Sequence, residues 1–289
     1  MTQHALVSVC IPTFNGAAYL QATLECIEAQ SYPNIEVVVS DDGSQDATLE
    51  IVAAHRAKSR LPFHVQHNTN HGIGANWNAA LHAAKGTYLK LMMQDDLIAP
   101  EFLSTLVAAA RATPGAGLIF CRRALLASGD LTPAPGWLAT HERLHSQLAT
   151  PLQAGRIEGL ALFADPKFLT PPFNKIGEPT TTLLTRDAIE TVGLFDTTLK
   201  QALDYEYWYR LLTRIDAVFV DEELATFRLH GTQATQQNRQ DANRTHIERL
   251  ALYRAYRHHM FGHLSLTNKA RFLVQFGKTA ARVLRARLL

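Results

Sequence analysis

The 289-residue chain predicts an α/β fold, a mostly parallel sheet flanked by helices with a helical C-terminal extension. Three observations carry this. Short apolar runs alternate with segments of helical period over residues 1–120. Each run ends in turn residues. One helix separates each strand from the next, which implies right-handed crossovers and parallel pairing. The composition is that of an ordinary globular chain, 47% hydrophobic and 19% charged, and excludes collagen, wholesale disorder and a disulfide scaffold.

Ala5–Ile11 is a near-continuous apolar run, the pattern of a strand buried on both faces, and Pro12 is expected to end it. Leu20, Leu24 and Ile27 recur on one face of a helix. Residues 31–34 are turn chemistry, and Ile35–Ser40 is a second β-branched run that Asp42-Gly43-Ser44 breaks. Leu49–His55 reads as a helix, Phe63–His67 as a third strand and Ala75–Ala84 as a helix of small residues. Gly86–Met93 reads as a fourth strand, Pro100–Ala112 as a helix and Gly117–Cys121 as a fifth strand. From Arg122 to Phe173 the pattern weakens into a stretch rich in Pro, Gly and Thr, as expected of a lid or binding loop. A strand returns at Thr180–Leu184, followed by an aromatic helix near Tyr205–Arg214 and a strand at Ala217–Val220. Residues 245–260 and 268–289 read as two helices, so the chain divides into a domain over 1–235 and an extension over 236–289.

The net charge of +2 conceals an asymmetry. Residues 1–238 carry 17 Lys and Arg against 24 Asp and Glu, whereas residues 239–289 carry 11 against 2. A basic tail on an acidic body suggests an anionic partner. No stretch approaches the roughly 18 uncharged apolar residues of a spanning helix. Residues 1–11 lack the basic and long apolar regions of a secretion signal. The three cysteines, Cys10, Cys26 and Cys121, lack metal-like spacing and suit a reducing cytosol. The thirteen histidines contain no His-Glu-x-x-His, and the His258-His259 pair reads as solvent-facing.

Ligands of an open parallel sheet bind beyond the carboxyl ends of its strands. Those ends carry Pro12, Thr13, Phe14 and Asn15 after strand one, Asp41 and Asp42 after strand two, and Gln94, Asp95 and Asp96 after strand four. Taken singly, each acidic pair could be only a turn or a helix cap. Four carboxylates on one edge repel one another, and a divalent cation or a ligand rich in donors would offset that cost. Hard oxygen ligands of this kind suit Mg²⁺ or Mn²⁺, ions that usually also bind a substrate phosphate. A P-loop is absent, and so is a Gly-x-Gly-x-x-Gly after strand one, which disfavours P-loop NTPases and dinucleotide oxidoreductases.

The runs Val7-Ser-Val-Cys-Ile-Pro-Thr-Phe-Asn15 and Ile35-Glu-Val-Val-Val-Ser-Asp-Asp-Gly-Ser44, with Asp46 and Thr48, resemble the nucleotide-sugar half of family 2 inverting glycosyltransferases of GT-A (Rossmann-like) fold. The stretch from Asn70-His-Gly72 through Asn76, Asn78 and Gly86 to Met93-Gln-Asp-Asp-Leu97 does the same. Gly193-Leu-Phe-Asp196 and Leu203-Asp-Tyr-Glu-Tyr-Trp-Tyr-Arg210 look like the family's acceptor-side motif, and Arg228-Leu-His230 like its Arg-x-His element. The resemblance spans about 5–235. It implies a donor half over about 1–121 and an acceptor half over about 122–235.

The resemblance further implies that Asp42 meets the base of a nucleotide, most often uracil, in a pocket lined by Pro12, Thr13, Asn15, Asp41 and Asn76. Asp95 and Asp96 would be the metal and ribose carboxylates, with His230 near the metal and the diphosphate. The family pattern is often Asp-x-Asp-Asp, and Met93 replaces its first Asp here. Asp204 matches the general base, and Gly177 and Trp208 fall on the acceptor and sugar side. Helical spacing allows only part of the set Tyr205, Tyr207, Trp208 and Tyr209 to be core. The activity that the resemblance implies is transfer of a sugar from a UDP-linked nucleotide sugar to a glycan or lipid-linked acceptor of the cell envelope. Rival readings are a sugar nucleotidyltransferase, which needs a Gly-rich basic loop after strand one, and a non-catalytic nucleotide-sugar-binding module.

In the tail, Phe272, Leu273, Phe276, Ala280, Val283, Leu284 and Leu288 fall at helical spacing among Lys269, Arg271, Lys278, Arg282, Arg285 and Arg287. Such a helix lies on an anionic membrane surface or covers its own domain. The first case makes the protein cytoplasmic and peripheral on the inner face. Nucleic acid is not expected, since no readout motif or stacking platform accompanies the charge.

Overall fold

Val7, Val9 and Ile11 point to one side of the first strand and Cys10 to the other, and all four are fully buried, so this strand lies at the centre of a covered sheet. The computed structural model describes residues 4–129, 132–231, 233 and 242–288, with side chains described only over 246–286 in the last stretch. Strands β1 (Val7–Thr13), β2 (Ile35–Asp41), β3 (Phe63–His67) and β4 (Tyr88–Leu91) form a parallel ladder in the order β3-β2-β1-β4. Helices α1 (Leu20–Glu28), α2 (Thr48–Arg56) and α3 (Ile73–Ala83) connect them. Pro12 does not end β1. Pairing with β4 stops at Cys10, so the missing amide of Pro12 costs no ladder bond on that side.

Beyond β4 the sheet is mixed. A two-residue strand β5 (Leu97–Ile98) and helix α4 (Phe102–Ala112) lead into β6 (Ala116–Ala127). Helix α5 (Pro135–His141), strand β7 (Gly155–Ile157) and helix α6 (Gly159–Ala164) occupy the stretch expected to be irregular. Strand β8 (Thr182–Thr185) is antiparallel to both β4 and β6, and helices α7 (Arg186–Val192) and α8 (Leu203–Leu212) precede β9 (Asp216–Leu229). Strands β6 and β9 run parallel over most of their length and extend well past the expected Gly117–Cys121 and Ala217–Val220, because both continue with alternating and half-buried residues. The full order is β3-β2-β1-β4-β8-β6-β9-β5, with β7 on β9.

One core lies between the sheet and α1 and α4, where Leu20, Leu24, Phe102 and Leu106 are buried. The other holds α3, α6 and α8 together with the C-terminal helices α9 (Ala242–His259) and α10 (Leu266–Leu288). Tyr253, Tyr256, Met260 and Phe272 of the extension share this second core with Trp208 and Phe163. The expected boundary at 235–236 lies outside the described residues.

The apolar set of the last helix is divided. Phe272, Phe276 and Val283 face the domain, whereas Leu266, Leu273, Val274 and Leu284 are 53–85% exposed. The side chains of Arg287 and Leu288 are outside the described residues. Among the described residues no helix is long and apolar enough to cross a membrane.

The close approach of α6 to α8 needs Gly159, where a Cβ would lie 2.1 Å from the Leu212 carbonyl oxygen. Gly159→Ala should therefore cost about 1–3 kcal/mol in urea unfolding. Gly136→Ala, at a site with nothing within 4 Å of a new Cβ, should leave stability unchanged or slightly raised.

Candidate active site

The ends of β1 and β2 are locked together before any ligand binds. Thr13 Oγ1 donates to Asp41 Oδ1 at 2.9 Å, and the other Asp41 oxygen accepts from the Gly43 and Ser44 amides at 3.2 and 2.9 Å. Asp41 is thus a buried turn anchor. Asp42 is also buried, and its two oxygens accept from the His71 and Gly72 amides at 2.8 Å each, capping the start of α3. Asn76 braces the same corner, donating to the Thr13 carbonyl at 3.1 Å and accepting from Asn68. Asn15, in the left-handed region at φ 46, accepts from the Gln45 amide at 2.8 Å. Gln94 grips both backbone polar groups of Phe14, at 2.9 and 3.0 Å, and so ties the loop after β4 to that after β1. The expected pocket residues are therefore together, with Phe14 and Asn15 exposed at its mouth. Pro12 is buried in β1.

The two carboxylates after β4 have different surroundings. Asp95 Oδ2 lies 2.9 Å from His230 Nε2, and the Asp95 side chain is 20% exposed. Asp96 is fully buried, accepting from Thr180 Oγ1 at 2.6 Å and from the Arg228 amide at 2.9 Å. Burial, reinforced by the neighbouring Asp95 charge, raises the Asp96 pKa well above the usual carboxylate range. Arg228 completes the junction through a 2.8 Å bond from Nε to the Asp95 carbonyl and a guanidinium over the Tyr19 ring. Tyr19 also packs on His230.

The divalent ion implied for Asp95, Asp96 and His230 can be tested on this geometry. Among the described residues no group of three or more His, Cys, Asp and Glu is placed to hold an ion. Asp96, expected as a ligand, has its oxygens directed inward. Asp95 and His230 remain as two adjacent donors, which fits an ion that takes its other positions from diphosphate and water.

On the acceptor side, Asp204 is half-buried in the first turn of α8. Burial pushes its pKa up to about 7, and the nearby Glu178 charge adds to the rise. Asn174 Nδ2 donates to Asp204 Oδ2 at 2.9 Å. Gly177, at φ 135, is a backbone node whose carbonyl accepts from Asn174 Nδ2 and Trp208 Nε1, each at 2.9 Å. Trp208 is fully buried and offers no face to a sugar. Tyr207 and Tyr209 are buried as well, more than helical spacing allowed, because the sheet side and the C-terminal helices cover α8 on opposite faces.

Asn174, Glu178, Thr180, Arg123 and Lys90 were not legible as site residues. Arg123 clamps Glu178 through two nitrogens and donates to the His141 carbonyl. Lys90, buried beneath the same loop, donates to the Pro179 and Thr180 carbonyls, and burial lowers its pKa to about 7. Only the position of the 174–180 loop, between a weak region and a strand, could have signalled it.

A mixed sheet carrying acidic loops at the ends of β2 and β4, and an Arg-x-His strand end folded back on the second of them, is the arrangement of a GT-A glycosyltransferase. The chain belongs to glycosyl transferase family 2, whose model matches residues 8–168. An uncharacterized protein of Mycobacterium tuberculosis is 31% identical over 84% of this chain and 72% of its own length. An uncharacterized glycosyltransferase of Rickettsia typhi is 29% identical over 81% and 67%. Among solved structures, S. aureus TarS with UDP-GlcNAc superposes with a TM-score of 0.68 at 19% identity, over 96% of this chain and 72% of that one. The mannosyltransferase PcManGT of Pyrobaculum calidifontis with GDP-Man and Mn²⁺ gives 0.66 at 20% identity, over 99% and 75%.

Proposed function

We propose that the protein is an inverting transferase that moves a sugar from a UDP-linked donor to a hydroxyl of a glycan or lipid-linked acceptor in cell-envelope polysaccharide synthesis. The observation that carries the reading is one loop. Residues 174–180 bond Asp204 at one end and Asp96 at the other, so a half-buried carboxylate is tied to the donor-side acidic loop. The UDP-GlcNAc complex of TarS supports a UDP-linked donor, and the Mn²⁺ complex of PcManGT supports a divalent ion.

In a single in-line displacement the acceptor oxygen bonds to the anomeric carbon as the bond from that carbon to the diphosphate oxygen breaks. The electron pair leaves with the diphosphate. Asp204 takes the proton of the acceptor hydroxyl, which is too weak a nucleophile without a base. Asp95 and His230 would hold Mn²⁺ or Mg²⁺, an ion that supplies positive charge against the departing diphosphate. Asp96 braces that loop instead of ligating. Asp42, Thr13, Asn15 and Asn76 shape the nucleotide end.

Asp204→Asn keeps size and loses the base. Transfer should fall by about 10²- to 10⁴-fold with UDP affinity unchanged. Full activity in this variant rules Asp204 out. Only ionised Asp204 accepts a proton, so kcat/KM should rise with pH through about 7 and level off above it. On the donor side, Mn²⁺ should raise UDP affinity in calorimetry. Asp95→Asn should abolish that gain and Asp96→Asn should retain it. Equal UDP affinity in excess EDTA removes the metal from the reading.

The last helix supports residence on the inner membrane face. Leu266, Leu273 and Leu284 are separated by about two and three helical turns and form one outward row. Exposed Lys278 and Arg285 lie to one side of it, and half-exposed Lys269 to the other. Each such cation near an anionic surface is worth about 1 kcal/mol. The full chain should co-sediment with anionic vesicles at low salt and release as salt rises. The double variant Leu273→Ser, Leu284→Ser should bind less. Equal sedimentation of variant and native protein overturns the assignment.

A further inference from the structure

Asn174 uses its whole amide. The side-chain oxygen accepts from the Ile176 and Gly177 amides at 3.0 and 2.9 Å, which folds the loop back on itself. The side-chain nitrogen donates to the Gly177 carbonyl and to Asp204 Oδ2, each at 2.9 Å. A neutral amide with both acceptor and both donor sites engaged has one rotamer, and it fixes the carboxylate that it touches.

We infer that Asn174 is a positioning residue for sugar transfer: its amide holds Oδ2 of Asp204 and so orients the carboxylate that receives the acceptor proton. The inference rests on Asp204 as the base. It has a physical need behind it. Burial and the Glu178 carboxylate both oppose ionisation of Asp204, and Glu178 is itself held by Arg123. The other titratable groups facing this carboxylate are the phenols of Tyr205 and Tyr209 on α8 and of Tyr256 on α9. Burial raises all three, so they are neutral at pH 7 and supply no compensating charge. The backbone amides of Tyr205 and Asp204 and the donated proton of Asn174 act against these surroundings, since a hydrogen bond to the charged form favours that form, and Asn174 is the side chain among them.

Asn174→Asp separates the two jobs of the side chain. It keeps an oxygen for the Ile176 and Gly177 amides and loses the donor to Asp204, placing a second carboxylate there instead. The acid limb of kcat/KM should move up by about one pH unit, which lowers transfer at pH 7 about fivefold and restores most of it at pH 9. UDP affinity should not change. Asn174→Ser, which also offers the loop an oxygen, is read by the same limb should the acidic variant misfold. Trp208→Phe removes the other donor to the Gly177 carbonyl and touches no carboxylate, so its limb should stay in place. A folded Asn174→Asp protein with an unmoved limb overturns the inference, as does an equal displacement in Trp208→Phe. If Asp204→Asn is inactive while the Asn174 variants keep the native limb, only the role of Asn174 fails. If Asp204→Asn is fully active, the base assignment fails first.

Discussion

A buried carboxylate must find partners inside the protein, and the demands of Asp96 organise this site. Removing a charge from water costs several kcal/mol even after relaxation. Asp96 meets that cost with a hydroxyl from Thr180 and an amide from Arg228, which lie 84 and 132 residues further along the chain. Burial lowers the pKa of Lys90 to about 7, so that the buried acid and the buried amine both shift toward their neutral forms. Three segments are drawn to one point: the loop after β4, the turn before β8 and the end of β9. Asp95 and His230 are mounted on them and, through the 174–180 loop, Asp204 is tied to them.

The division of labour among carboxylates follows from this. Asp41, Asp42 and Asp96 each have their oxygens engaged by backbone amides or hydroxyls and are buried. They hold loops in place. Asp95 and Asp204 keep some exposure, Asp95 beside His230 and Asp204 beside Asn174. Rigid acidic turns thus hold Asp95 and Asp204 in place, as a preorganised site requires.

Much of the donor half was readable because its signals are local. Apolar runs of strand length, each closed by turn residues, place Thr13, Asp42 and Asp95 at strand ends without any long-range information. The roles of those residues were less readable, because whether an Asp caps a loop or faces solvent depends on which amides arrive from elsewhere. Asp95 and Asp96 look equally available in sequence and are not. Trp208 was misplaced for the same reason. Its helix reads as amphipathic, yet the Gly177 carbonyl and the Phe195 ring, which arrive from distant loops, cover the face that would otherwise be open. Asn174 lies in a stretch with no periodicity at all, so nothing local distinguishes it from any other loop amide.

Strand β9 has one more consequence, in the order of assembly. In the β3-β2-β1-β4 ladder, β1 with β2 and β2 with β3 are neighbours linked by single helices, and even the wider β1–β4 pairing is complete within the first 91 residues. Strand β9 instead inserts between β6 and β5, about a hundred residues after the former, and β5 pairs with nothing else in the sheet. Such distant closures are entropically slow and follow the local ones. Arg228 and His230 ride on the end of that late strand, so the acidic loop after β4 waits for its partners until the chain has been made through residue 230. A nascent or truncated chain that has only the first four strands can present the nucleotide corner without the means to complete it.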